Sequence, residues 1–140
     1  MVEADNADVD DWTEQIANLM VKFPRVYADV GAHSVIYEAS HAKAYVKKLR
    51  DLAAHAPVLT ERLMLGTDWH TIVRNPKHEE FIARYQVLFV TAFGTQALPG
   101  LVGANALAFL GLDKPGGKNR QRLEEFYKKN AIAKPKWWVG

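Results

Sequence analysis

Asp68 and His70 are the side chains whose types and spacing first suggest chemistry. A carboxylate can bind a metal ion or take a proton from a nucleophilic water, and an imidazole two residues on can supply a second ligand or a substrate contact. The case for this carboxylate is positional. It follows Arg62-Leu63-Met64-Leu65-Gly66, a short apolar run with the flanks of a buried strand, and parallel α/β folds carry their catalytic side chains at the C-terminal ends of strands. The competing reading makes Asp68 a loop cap that accepts backbone N–H bonds. His70 projects to the same side as Asp68 if strand geometry persists that far.

The other candidates are weaker. His33 lies just beyond a first predicted strand, on the face that would also carry Asp68, whereas His41, His55 and His78 flank helices. No HxH or HExxH spacing joins any of the histidines. Asp29 falls inside the first strand and must be paired, lie at an edge or line a polar cavity, with Arg25 and Arg62 as the expected partners. Gly116-Gly117-Lys118 lacks the earlier glycine and the Ser or Thr of a phosphate loop and reads as a turn. Neither a GxSxG elbow nor a dinucleotide fingerprint occurs. With Cys at zero, disulfides, thiolate metal sites and cysteine nucleophiles are excluded.

These residues need elements to position them. Residues 1–9 are acidic and expected to be disordered, and a helix should start near Asp10, where carboxylates complement its dipole. Trp12, Ile16, Leu19, Met20 and Phe23 recur at helical spacing and predict one core-facing stripe, ended by Pro24. Val26 to Val30 is short, β-branched and aromatic, as a strand would be. Ser40 is placed to cap a helix through Ala42, Tyr45, Val46, Leu49, Leu52 and Ala53, stopped by Pro57. Strand, helix and strand make a parallel βαβ unit. Helices are predicted over Glu79 to Phe93, Ala104 to Leu110 (short and buried) and Arg120 to Lys129 (exposed). The expected class is α/β, with two parallel strands and several helices. Two strands leave both edges unpaired, so the sheet needs strands from elsewhere.

At 140 residues, 49% hydrophobic and 24% charged, the chain has the composition of one globular domain, residues 10–140. Its apolar runs fall short of the roughly 18 residues of a bilayer span, and its acidic start is unlike a targeting peptide, so a cytoplasmic protein without a membrane partner is expected. Charge is uneven: Met1 to Glu14 holds six acids and no base, while Lys114 to Gly140 holds eight bases against Glu124 and Glu125. The basic end, with Trp137 and Trp138, suits either a nucleic-acid surface or, as the favoured reading, solvated charge with an apolar clasp.

Three segments in order, Phe23-Pro24-Arg25-Val26-Tyr27-Ala28-Asp29-Val30, Arg62-Leu63-Met64-Leu65-Gly66-Thr67-Asp68-Trp69 and Asn105-Ala106-Leu107-Ala108-Phe109-Leu110-Gly111-Leu112, resemble the C-terminal part of the amidohydrolase-related metal-dependent hydrolases, in the branch that includes aminocarboxymuconate-semialdehyde decarboxylase. The resemblance implies a (β/α)₈ TIM barrel whose divalent metal, commonly zinc, is held by an HxH pair, middle-strand histidines and an aspartate at the end of the eighth strand. Asp68 matches that aspartate, as catalytic residue and metal ligand, with His70 and His33 as substrate-binding candidates. The first six strands and their histidines have no counterpart here. The expectation is therefore the C-terminal portion of a barrel that hydrolyses C–N or C–O bonds or decarboxylates a small-molecule substrate when intact, and is inactive alone. Its expected partners are a complementing barrel chain or further copies of itself. A non-catalytic module pairing through exposed strand edges is the alternative, followed by nucleic-acid binding through the basic C-terminus.

Overall fold

A computed structural model describes residues 6–31 and 34–135. Helix α1 (Asn6–Lys22) leads into strand β1 (Ala28–Val30), helix α2 (Ala39–His55) crosses over, and the single turn α3 (Leu59–Arg62) delivers strand β2 (Leu63–Leu65). The strands pair in parallel, with Ala28 opposite Leu63, Asp29 opposite Met64 and Val30 opposite Leu65. The short α4 (Trp69–Ile72) and the longer α5 (Phe81–Phe93) follow, then a π turn over Gly100–Ala104 running into α6 (Asn105–Leu110), and finally α7 (Lys118–Lys129). The chain is thus mixed α/β and mostly helical, with a βαβ unit where the pattern predicts one. No helix among the described residues is long and apolar enough to cross a membrane.

Each strand is three residues long, shorter than its sequence pattern. Val26 and Tyr27 are drawn out of β1 because the Arg62 guanidinium takes the carbonyls of Phe23 (2.8 Å) and Val26 (3.4 Å), tying the approach to β1 onto α3. Helix α2 starts without a side-chain cap, contrary to the role expected of Ser40: Glu38 is the N-cap residue, and its carboxylate lies 3.1 Å from His41 Nδ1.

The core forms where α2 meets α5. Val46, Leu49 and Leu52 of α2 and Phe81, Tyr85, Leu88 and Phe89 of α5 repeat at three- and four-residue intervals, and all are buried. Aromatic rings run along α5 from Phe81 to Tyr85 (4.8 Å between centroids) and from Tyr85 to Phe89 (5.5 Å), tilted as ring quadrupoles favour. Arg50 of α2 donates to the Thr91 carbonyl beyond the last turns of this contact.

The outer edge of β2 is closed by a side chain. Asn105, at the start of α6 and 7% exposed, donates through Nδ2 to the carbonyls of Thr60 (3.0 Å) and Leu63 (2.8 Å). Gly100 makes room for it, because a Cβ there would stand 2.9 Å from Asn105 Oδ1. The same edge anchoring places α6 less deeply than predicted, with Phe109 and Leu110 at the surface. In α7, Arg120 is buried against the Leu112 carbonyl rather than exposed.

Helix α1 departs furthest from its pattern. It begins at Asn6, ahead of Asp10. Of the five residues predicted to face the core, Met20 alone is buried, joined by Ala17; Trp12, Ile16, Leu19 and Phe23 are exposed. The spacing conceals two lines. At about 100° per residue, Ala17 and Met20 point one way, while Trp12, Ile16, Leu19 and Phe23 lie roughly a quarter turn round the helix.

Candidate functional site

Strand β2 ends at Leu65, and two residues carry the chain over the sheet's C-terminal end to Asp68, whose backbone is left-handed (φ 42°, ψ 51°). That conformation turns the chain into α4 one residue later. The Asp68 carbonyl accepts from the amides of Thr71 (2.9 Å) and Ile72 (3.1 Å), so the main chain starts the helix and the side chain makes no cap bond. The carboxylate instead lies 3.0 Å from His70 Nδ1. Asp68 and His70 do meet, but through one helical turn and not through a continuing strand.

With Nδ1–H donated to the carboxylate, the imidazole presents Nε2 outward as an acceptor, the arrangement of an oriented general base or ligand. The side chains are 38% (Asp68) and 68% (His70) exposed, so the pair contributes at most about 1 kcal/mol to stability. Trp69 stands edge-on to the His70 ring at 6.0 Å and is itself exposed.

The neighbouring strand end contributes a carboxylate that the sequence reading placed in a structural pair. Asp29 is exposed and does not meet Arg62, whose guanidinium is engaged with main-chain carbonyls. Its Oδ2 lies 2.8 Å from where a Cβ on Gly66 would stand, so the glycine lets the Asp29 carboxylate cross to the β2 side. The Gly66 amide donates to the Val30 carbonyl at 2.8 Å, extending the ladder one step and holding the two strand ends together. The signal for Asp29 was its position in the strand next to Asp68's strand.

The remaining histidines sit locally, as their flanking positions predict. His55 donates to the Asp51 carbonyl and His78 to the Asn75 carbonyl, both within one turn. His33, Trp137 and Trp138 lie outside the described residues. Among the described residues no group of three or more His, Cys, Asp or Glu side chains could hold a metal ion. Zinc requires three or four donors, so Asp68 and His70 do not make a complete site by themselves. Two surface grooves, about 510 Å³ between α1 and α2 and about 720 Å³ along α2 and α5, are lined by other residues.

A non-glycine residue held at positive φ costs about 1 kcal/mol unless its side chain is needed there. Asp68→Gly relieves that strain but gives the unfolded chain a comparable entropy and loses the weak His70 contact, so its stability in urea denaturation is expected to stay within about 0.5 kcal/mol of the parent. A loss of more than about 1 kcal/mol would show that the turn is unstrained.

No protein-family model, curated protein or solved structure matches this chain.

Proposed function

We propose that the chain is the C-terminal part of an amidohydrolase-type (β/α)₈ barrel, a metal-dependent hydrolase or decarboxylase acting on a small molecule, with Asp68 as its catalytic and metal-binding aspartate. The observation that carries this reading is the placement of Asp68. Its carboxylate stands just past the C-terminal end of a strand in a parallel βαβ unit, with an imidazole held against it, while Asp29 of the adjacent strand lies over Gly66.

In this reading Asp68 would hold a divalent metal, zinc by resemblance, together with donors from strands outside this chain; the metal, when bound, supplies an activated water. The chain's own residues have narrower tasks. Asp68 accepts the proton of the attacking water or fixes its direction, His70 orients the carboxylate and contacts substrate, and Asp29 adds negative charge at the mouth. Among the described residues the sheet has two parallel strands and no third strand beside β1, which supports the need for further strands there. On the β2 side a complementing strand would have to displace the Asn105 contact to the Leu63 carbonyl.

The test is complementation. A polypeptide carrying the six preceding βα units of such a barrel, mixed with this chain, is expected to associate with it and retain zinc measured by metal analysis after dialysis. Asp68→Asn should lose that zinc while association persists. The chain alone should neither retain stoichiometric zinc nor turn over substrate. No association, or tight zinc with Asp68-dependent turnover by the chain alone, would overturn the proposal.

A further inference from the structure

The exposed line on α1 has the spacing of a helix-pairing seam. Trp12, Ile16, Leu19 and Phe23 follow one another at intervals of four, three and four residues, and Val9 continues the series in sequence by three. Alternating steps of three and four are a 3.5-residue repeat, the a/d pattern that lets one helix lie along another. The line remains regular through Phe23, because the Phe23 amide still bonds the Leu19 carbonyl at 2.8 Å. These side chains are 67% (Trp12), 38% (Ile16), 45% (Leu19) and 44% (Phe23) exposed.

From these fractions the four leave roughly 400 Å² of mostly apolar surface uncovered, within the range of the largest single patch on a typical monomer, a patch that is often functional. A stable interface takes about 800 Å² per partner, so the seam supplies about half, and the flanking side chains of the same helix can supply much of the rest. Charge selects the occupant and its direction. The first turns of α1 carry Asp8, Asp10 and Asp11, and its last turn carries Lys22, with Arg25 just beyond. Two copies of α1 laid antiparallel bring each acidic end against a basic end, whereas a parallel pair would set like charges together.

We infer that the chain forms a two-fold homodimer in which α1 packs antiparallel against α1 of a second copy along Trp12, Ile16, Leu19 and Phe23. The interface is isologous, with the same patch on both sides. It needs nothing from the barrel reading: the seam and its charges act whether or not Asp68 belongs to a catalytic site.

Sedimentation of the full chain at about 100 µM is expected to give a dimer. Leu19→Glu, which puts a charge in the seam without touching the core, should weaken dimerisation by about a hundredfold while the far-ultraviolet spectrum stays unchanged. Should that variant fold poorly, Trp12→Gln at the most exposed seam position provides the same reading. Orientation is tested by single cysteines in this cysteine-free chain: with Trp12 facing Phe23 and Ile16 facing Leu19 across the two-fold, an equimolar oxidised mixture of Gln15→Cys and Lys22→Cys chains should give the mixed disulfide dimer in preference to either like pair. A monomer at about 100 µM would overturn the inference, including the case where α1 serves a different partner. So would an oligomer insensitive to both seam variants, or like-pair disulfides in excess.

Discussion

Asn105→Ala is expected to lower the free energy of unfolding by about 3 kcal/mol. The side chain is 7% exposed, and its Nδ2 satisfies two main-chain carbonyls at once, Thr60 at 3.0 Å and Leu63 at 2.8 Å. Truncation leaves both carbonyls without that donor in a place already filled by α6 and the Gly100 turn, at roughly 1–3 kcal/mol for each buried group left unsatisfied. Better helix propensity at an alanine returns only about 0.5 kcal/mol. Asn119 is the control: its Nδ2 donates to the Leu110 carbonyl at 2.8 Å, but the residue is exposed, water replaces the bond, and Asn119→Ala should cost less than about 1 kcal/mol. Urea denaturation of the two variants checks this, and equal losses would mean that Asn105 is not the clamp on β2. The clamp bears on function because Leu63 opens the strand that ends next to Asp68.

The sequence makes the βαβ unit legible because both strands are short apolar runs beside Gly, and α2 and α5 repeat their apolar residues at helical spacing. It overstates strand length, because the tie from Arg62 to the Phe23 and Val26 carbonyls is a tertiary contact with no local pattern. It misassigns α1 for a related reason. Apolar residues at three- and four-residue intervals identify a helix face, but only packing decides whether that face meets the protein's own core. Ala17, the small residue beside Met20, is what lets α1 approach the core, and a stripe count weighted to large side chains passes over it.

The candidate site was legible in position and not in mechanism. Asp68 stands at the strand end where the pattern puts it, yet its contact with His70 depends on a left-handed residue and one turn of helix, neither of which alternation along a strand foretells. Asp29 was visible as an ionisable residue in a strand. Its place over Gly66 follows from parallel register, which sets the two strand ends side by side, and from a glycine whose missing Cβ leaves space.

At alkaline pH the fold is expected to lose stability through one buried hydroxyl. Burial between α2 and α5 pushes the Tyr45 hydroxyl up to about 12 from its usual 10, against the smaller, opposite influence of the neighbouring Tyr85 hydroxyl. The Tyr85 ring stands edge-on to it, 6.4 Å away. The sign follows from which state holds the proton more tightly. Below pH 10 the hydroxyl is neutral in both folded and unfolded chains and contributes no pH dependence. Between pH 10 and 12 the unfolded chain releases this proton while the folded chain keeps it, so stability falls as pH rises, by about 2 kcal/mol at pH 12. Above the folded value both states are ionised and the dependence levels off. Tyr45→Phe cannot release that proton, so its unfolding free energy should fall less steeply, and the difference between the two proteins should open between pH 10 and 12 and nowhere below. Parallel curves across that window would place the Tyr45 hydroxyl in contact with water and remove it as the cause.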